Sequence, residues 1–252
     1  MLSKKSTYQP DLSIVIPARR EAKRIGKTLD ELAIYLKKDK TLKNLTTEVL
    51  VVAADAGDDT GGVTLSKKNK FENLKLLKPG AIVGKGRDVA YGMLRAKGNL
   101  IIFMDADLAT PLRHLAEFYN IYQRQKPDII IATRNLRKHH PGKTRIVISN
   151  IGNILFRFAG GVWVEDSQCG FKMFTHEAAK ICFKRLTILG WGFDMEILAI
   201  AKAQHLRICT RRVNDWVSVP DGVFADGVLK SSTKSLVELS RILSNRIVRR
   251  YR

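Results

Sequence analysis

Two aspartates one residue apart, Asp105 and Asp107, follow the apolar run at 100–104. Carboxylates are too costly to bury unpaired, so such a run carries the chain through a core and presents both acids at its far end. In a parallel sheet that end is the ligand-binding edge. Two hard oxygen donors there suit Mg²⁺ or Mn²⁺, which in turn neutralises a substrate diphosphate. Asp-x-Asp is a weak signal alone, and it gains weight only if other chemistry-bearing residues share the edge. Gly84-Lys85-Gly86-Arg87 stands ahead of a helix-like stretch; its glycines admit a close ligand, and a helix N-terminus with Lys85 and Arg87 favours an anion. The spacing matches neither a Walker A loop nor Gly-x-Gly-x-x-Gly. Glu21 lies just beyond an apolar run closed by Pro17, and Asp55 lies just beyond a second run. Further on, Asp166-Ser167-Gln168-Cys169-Gly170-Phe171-Lys172 and Trp191-Gly192-Phe193-Asp194-Met195-Glu196 set acids and aromatics beside glycines.

The elements that must position these residues alternate in type. Short apolar runs at 12–16, 48–53, 74–77, 100–104 and 128–133 predict strands. Stretches with 3.6-residue periodicity at about 24–38, 87–96 and 111–125 predict helices. The alternation predicts an α/β fold with a largely parallel sheet flanked by helices. It is regular to about residue 133 and irregular afterwards, so the second half reads as decoration on a finished nucleotide-binding half.

Composition narrows the partners. With 252 residues, 44 Lys+Arg against 24 Asp+Glu and a formal charge of +20, the chain suits one large domain and a polyanionic partner. The apolar fraction, 45%, excludes a disordered chain. Cys169, Cys182 and Cys209 are scattered and contain no Cys-x-x-Cys, which argues against a disulfide framework or a zinc site and for a reducing cytosolic setting. The most apolar long window, 147–164, carries Asn150, Asn153 and Arg157 and is broken by Gly160-Gly161, so no transmembrane span is expected. Nucleic acid is the competing polyanion. It is disfavoured because no helix-turn-helix, RRM-like aromatic motif or zinc finger is present.

From Lys230 to Arg252 the chain carries seven cations and a single acid, Glu238, with Leu236, Leu239, Leu243 and Ile247 at helical spacing. That pattern predicts a basic amphipathic helix able to lie on an anionic membrane surface. The expected division is residues 1–229 as the main domain, with a nucleotide-binding half at about 11–133 and an acceptor half at about 134–229, followed by the helix at 230–252.

Taken in order, Val15-Ile16-Pro17-Ala18-x-x-Glu21, Gly84-Lys85-Gly86, Asp105-Ala106-Asp107, Asp166-Ser167-Gln168-Cys169-Gly170-Phe171-Lys172 and Trp191-x-Phe193-Asp194-x-Glu196 resemble family 2 glycosyltransferases. Within that family they are most similar to the branch that glycosylates dolichyl and other polyprenyl phosphates. The resemblance implies a Rossmann-like GT-A fold and inverting transfer of a hexose from a nucleotide sugar, UDP-glucose or GDP-mannose, to a polyprenyl phosphate. It implies donor contacts from Pro17, Glu21, Asp55, Lys85, Arg87 and Asp105, with Mg²⁺ or Mn²⁺ held by Asp105 and Asp107. It places Arg134, Arg145 and Ser149 at the acceptor phosphate, and Gln168, Trp191 and Asp194 in the acceptor-side loop. Asp107 and Asp166 are the catalytic candidates, Asp166 as the base if the acceptor is instead a saccharide or protein hydroxyl. The family's aromatic-Asn pair before the first Glu is Arg19-Arg20 here, and its Asp-Asp-Gly-Ser loop is Ala53-Ala54-Asp55-Ala56-Gly57. The expected location is the cytoplasmic face of a membrane, on its surface.

Overall fold

The computed structural model describes residues 9–54, 57–80, 84–134, 158–217 and 228–252. Asp55, Arg145 and Ser149, and the first part of the apolar window at 147–164, lie outside the described residues. Seven strands form one sheet: β1 (Leu12–Ala18), β2 (Thr47–Ala53), β3 (Leu74–Leu77), β4 (Leu100–Met104), β5 (Ile129–Arg134), β6 (Phe171–Thr175) and β7 (Ile208–Val213). Their spatial order is β3-β2-β1-β4-β6-β5-β7. All neighbours are parallel except β6, which runs antiparallel to both β4 and β5.

Continuous apolar runs make strands of this kind because both faces of the sheet are covered. One face of β1 and β4 (Ile14, Ile16, Ile102, Met104) packs against α1 (Ala22–Lys38) through Ile25, Leu29 and Leu32, and against α4 (Arg113–Gln125) through Leu115 and Phe118. The alternate residues Val15, Ile101 and Phe103 pack on the other face against Val89 and Met93 of α3 (Lys85–Arg95). The same layer holds α5 (His176–Lys184), α6 (Phe193–Ala203) and part of α7 (Val228–Ile247). A short helix, α2 (Thr60–Ser66), follows β2 and is capped by Asp59, whose side chain accepts from the Gly62 amide.

The described part of the second half does not decorate a finished sheet. Residues 171–175 insert as β6 between β4 and β5 and pair with both. Its sequence, Phe-Lys-Met-Phe-Thr, includes a lysine that hid it from a reading based on apolar runs. The run on which α7 was expected to lie is also divided. Leu239 turns inward with Ile242 and joins the core, whereas Leu236, Leu243 and Ile247 stay exposed.

Chain order reverses beside β1. The strands β1, β2 and β3 progress one way, and β4 then returns to the other side of β1. The crevice at the carboxyl ends of β1 and β4 is therefore the topological switch point, where open α/β sheets bind ligands. Because β6 is antiparallel, the residues that precede it arrive at that same edge, where Phe171 pairs with Met104.

Candidate active site

Glu21 begins α1 directly after β1. Its backbone amide donates to Thr60 Oγ1 at 3.0 Å, and the next amide, Ala22, donates to Asp58 Oδ2 at 3.1 Å. These bonds tie the loops after β1 and β2 together at the crevice. Burial raises the Glu21 carboxyl above its ordinary value; Arg24, 3.4 Å away, opposes this, and the charges of Asp107 and Asp105 add to it. Glu21 thus shares one electrostatic environment with the aspartate pair.

The loop after β4 is held from several sides. The Thr28 hydroxyl of α1 donates to the Ala106 carbonyl at 2.6 Å, and the Asp105 amide donates to the Gly170 carbonyl at 3.2 Å. Asp107 Oδ1 accepts from the Ala109 amide at 3.0 Å. Leu108 between them has φ +57°, a left-handed backbone that a bulky side chain adopts only when its surroundings impose it. A Cβ at Gly170 would lie 1.9 Å from Asp105 Oδ2, so glycine is required for the acid to sit where it does.

Burial pushes the Asp107 carboxyl up, the Ala109 amide opposes this, and the neighbouring Asp105 charge adds to it. Two like charges at one loop favour a cation between them. Lys85 from the start of α3 already reaches Asp105 Oδ1 at 2.7 Å. Burial alone would lower the Lys85 ammonium, but Asp105 and Asp194 outweigh it and hold it above its ordinary value. Among the described residues no group of three or more His, Cys, Asp or Glu is placed to hold a metal unaided. Two carboxylate groups at a ligand crevice do fit a Mg²⁺ or Mn²⁺ that takes its remaining ligands from a diphosphate and water.

Behind Lys85 a second layer of charge is sealed in. Lys172 is 0% exposed and Asp194 3% exposed, and the two form an ion pair, with the ammonium also donating to the Cys169 carbonyl at 2.6 Å. Burial raises the Asp194 carboxyl, and Lys172 and then Lys85 pull against it. The Lys85 ammonium lies 5.0 Å from the centroid of the half-exposed Trp191 ring.

At the carboxyl end of β5, Arg134 meets Asp166 in a two-point ion pair: Nε to Oδ2 at 2.6 Å and Nη2 to Oδ1 at 3.0 Å. The Arg134 amide adds a bond to Oδ2 and the Gln168 amide one to Oδ1, both at 3.1 Å. Burial would raise the Asp166 carboxyl, but these bonds outweigh it and hold it below the usual carboxylate range. Trp216, just beyond β7, places its ring centroid 5.2 Å from the Arg134 guanidinium carbon. Burial and the nearby Asp166 charge push the Cys169 thiol to about 12, so it is not a nucleophile at neutral pH.

The structure brings Glu21, Lys85, Asp105, Asp107, Arg134, Asp166 and Trp191 to one edge of the sheet. Pro17, one residue before the end of β1 and opposite Val52, stands next to them. Gln168 is exposed beside Asp166, while Asp194 sits in the interior. Arg87 faces its own loop, with Nη1 donating to the Pro79 and Gly80 carbonyls at 2.6 and 3.1 Å. Sequence reasoning passed over Lys172, Trp216 and the spatial need for Gly170. Lys172 and Gly170 were visible inside a quoted motif, while Trp216 had no local signal.

The profile of Glycosyl transferase family 2 matches residues 13–182. A dolichyl-phosphate beta-glucosyltransferase of Trichomonas vaginalis is 32% identical over 206 residues, covering 78% of this chain and 63% of its own length. That of Drosophila melanogaster is 34% identical over 206 residues, covering 76% and 63%. That of Homo sapiens is 31% identical over 221 residues, covering 82% and 68%. The chain thus spans a little under two thirds of the length of the first two. Among solved structures, mannosyl-3-phosphoglycerate synthase from Rubrobacter xylanophilus superposes with TM-score 0.71 at 17% identity, over 95% of this chain and 74% of that one. Glucosyl-3-phosphoglycerate synthase from Mycobacterium tuberculosis, crystallised with Mn²⁺, UDP and glucosyl-3-phosphoglycerate, gives 0.62 at 14%, over 96% and 80%. These two likenesses establish the GT-A fold. With the profile spanning β1 through most of α5, and the aspartate pair standing at the switch point of that fold, the chain belongs to glycosyl transferase family 2.

Proposed function

We propose that the protein transfers a hexose, with inversion, from a nucleoside diphosphate to a polyprenyl phosphate of the dolichyl type at a membrane surface. The observation that carries this reading is Arg134, a cation fixed by Asp166 at the same sheet edge as Asp105 and Asp107. The names of the relatives support it and favour glucose over mannose; UDP-glucose, present in a crystal structure of a glucosyl-3-phosphoglycerate synthase of the same fold, is the donor we take with it.

The donor lies in the crevice between the loops after β1 and β4. Glu21 faces the nucleoside side, together with Pro17 and, on resemblance alone, Asp55. Lys85 directs its ammonium at the diphosphate. Mg²⁺ or Mn²⁺, when held by Asp105 and Asp107, supplies further positive charge to the departing diphosphate. Arg134 holds the acceptor phosphate beside the anomeric carbon, with Arg145 and Ser149 assigned to it on resemblance. Attack by a phosphate oxygen from the face opposite the leaving group inverts the carbon in one displacement.

A phosphate monoester has its second pKa at about 6, so the nucleophile is already anionic at neutral pH and requires no strong base. This agrees with Asp166, whose depressed carboxyl is a poor proton acceptor and whose work is to orient Arg134. A hydroxyl acceptor would need the free base that Asp166 does not offer. Gln168 borders the acceptor side, whereas Trp191, whose ring stands against the Lys85 ammonium, borders the donor crevice.

No helix among the described residues is long and apolar enough to cross a membrane. The outward face of α7 nevertheless shows Leu236, Val237, Leu243 and Ile247, followed directly by exposed Val248, with no acid among them and cations on its flanks. Phe158 and Trp163, exposed by 69% and 73%, adjoin α7 where Arg246 bonds the Phe158 carbonyl. We assign this surface to anionic lipid on the cytoplasmic face. The deciding experiment is transfer of labelled glucose from UDP-glucose, with Mn²⁺, to a short polyprenyl phosphate. A glycolipid product is expected, and its absence with both UDP-glucose and GDP-mannose overturns the assignment.

A further inference from the structure

Glu238 is the one acid in the basic stretch from 230 to 252, and it does not point to solvent. Its Oε2 accepts from the Gly192 amide at 2.9 Å. Gly192 is the N-cap of α6 and has no side chain of its own to bond the first turn, so the carboxylate of α7 supplies the cap from outside. The fit is close: a Cβ on Gly190 would lie 2.5 Å from Glu238 Oε1, and one on Gly192 would lie 2.6 Å from Oε2. The carboxylate thus occupies a cradle made by the two glycines on either side of Trp191.

Trp191 leads back to the donor crevice, because its ring stands against Lys85, which pairs with Asp105 at 2.7 Å. The residues before the turn meet the same helix start. The Leu189 carbonyl accepts from the Arg87 amide at 3.2 Å, and a Cβ on Gly84 would fall 2.2 Å from that carbonyl oxygen. A second anchor holds the other end of this segment. Buried Glu196 accepts from the Thr187 and Ile188 amides at 2.8 and 2.6 Å and from the Tyr251 hydroxyl at 2.9 Å. The C-terminal element therefore meets the segment from Thr187 to Gly192 at both ends, Asn245 Nδ2 donating to Thr187 Oγ1 at 3.1 Å and Glu238 making the contact adjacent to Trp191.

We propose that Glu238 is a positioning residue for the donor: from α7 it fixes the Gly190–Gly192 turn so that Trp191 holds the Lys85 ammonium toward the diphosphate. This inference rests on the proposed hexosyl transfer for its kinetic readout. The effect expected, about tenfold in donor affinity, corresponds to about 1.4 kcal/mol, a loss of the size that removing a helix cap causes.

The experiment compares Glu238→Ala, Glu238→Gln and the outer-face control Ser240→Ala in the full chain. UDP-glucose KM, polyprenyl-phosphate KM and kcat are measured with Mn²⁺, together with calorimetric UDP affinity. Glu238→Ala should raise the UDP-glucose KM and the UDP Kd by about tenfold, while kcat and the lipid KM stay within about twofold. Glu238→Gln keeps an acceptor oxygen for the Gly192 amide and should recover most of the loss; Ser240→Ala should match the parent. Unchanged donor KM and UDP Kd in Glu238→Ala overturn the proposal. So does an equal loss in every parameter that Gln fails to rescue, since that is the mark of a merely structural contact. If the parent chain binds UDP without transferring glucose, the hexosyl-transfer reading fails, and the UDP Kd still decides Glu238; a parent that binds no UDP overturns both.

Discussion

The Gly170 backbone lies directly against the Asp105 carboxylate, so close that a methyl group there would fall 1.9 Å from Oδ2. The glycine of the loop before β6 and the first acid after β4 are 65 positions apart in the chain and form one fitted contact. Gly170→Ala is therefore expected to displace the carboxylate from Lys85. Because the displaced group is the end of a side chain near the rim, melting temperature should fall little while transfer falls by about a hundredfold, the scale of losing one aligned electrostatic group. Calorimetry beside the glycolipid assay checks this; a large stability loss with activity retained would contradict it.

Asp107 is shaped almost as well by asparagine, which keeps the bond from the Ala109 amide but not the charge. Asp107→Asn should fold normally and lose Mn²⁺ binding in the presence of UDP, read by electron paramagnetic resonance. Retained Mn²⁺ affinity would remove this residue from the cation site.

Asp166 makes the acid limb of stability predictable. Its folded carboxyl is held below the unfolded value of about 3.9, so its contribution is complete above that value and is lost as pH falls through the lower folded pKa. Asp166→Asn should lower stability at neutral pH by about 2 kcal/mol, because the half-buried Arg134 loses its two-point counter-charge. The parent and variant melting curves should converge below about pH 4. Parallel curves across that window would show that the pair contributes nothing linked to protons.

The outer face of α7 can be charged without disturbing its inner one. Leu243→Glu with Ile247→Glu alters only exposed positions and should shift stability by no more than about 0.5 kcal/mol. Flotation on phosphatidylserine vesicles should fall sharply. Unchanged flotation would dismiss this face as the lipid contact.

Much of the frame was readable from the sequence because β1 to β5 are apolar runs of ordinary length, and the strands at 74–77 and 100–104 coincide with their expected bounds. The aspartate pair and Glu21 follow from strand-end logic, and Lys85 from the glycines ahead of a helix start. What escaped depended on contacts distant in sequence. Strand β6 carries Lys172 in a fully buried position, which is tolerable only because Asp194, 22 residues later, neutralises it. Residues 208–213 form an edge strand with exposed Thr210, Arg211 and Arg212 and show no apolar pattern. Arg87 reads as an anion ligand by type, and its bonds to the Pro79 and Gly80 carbonyls are contacts that type alone does not announce. The inner and outer faces of α7 were merged because a spacing of three or four does not say which side meets the core.

The antiparallel insertion of β6 also carries a consequence for biogenesis. Until residues 171–175 leave the ribosome, β4 and β5 have no neighbour to join them, and β4 presents a bare hydrogen-bonding edge next to its two acids. A nascent chain halted near residue 134 should be sticky and inert toward UDP, and closing the sheet and assembling the catalytic rim should occur as a single late event.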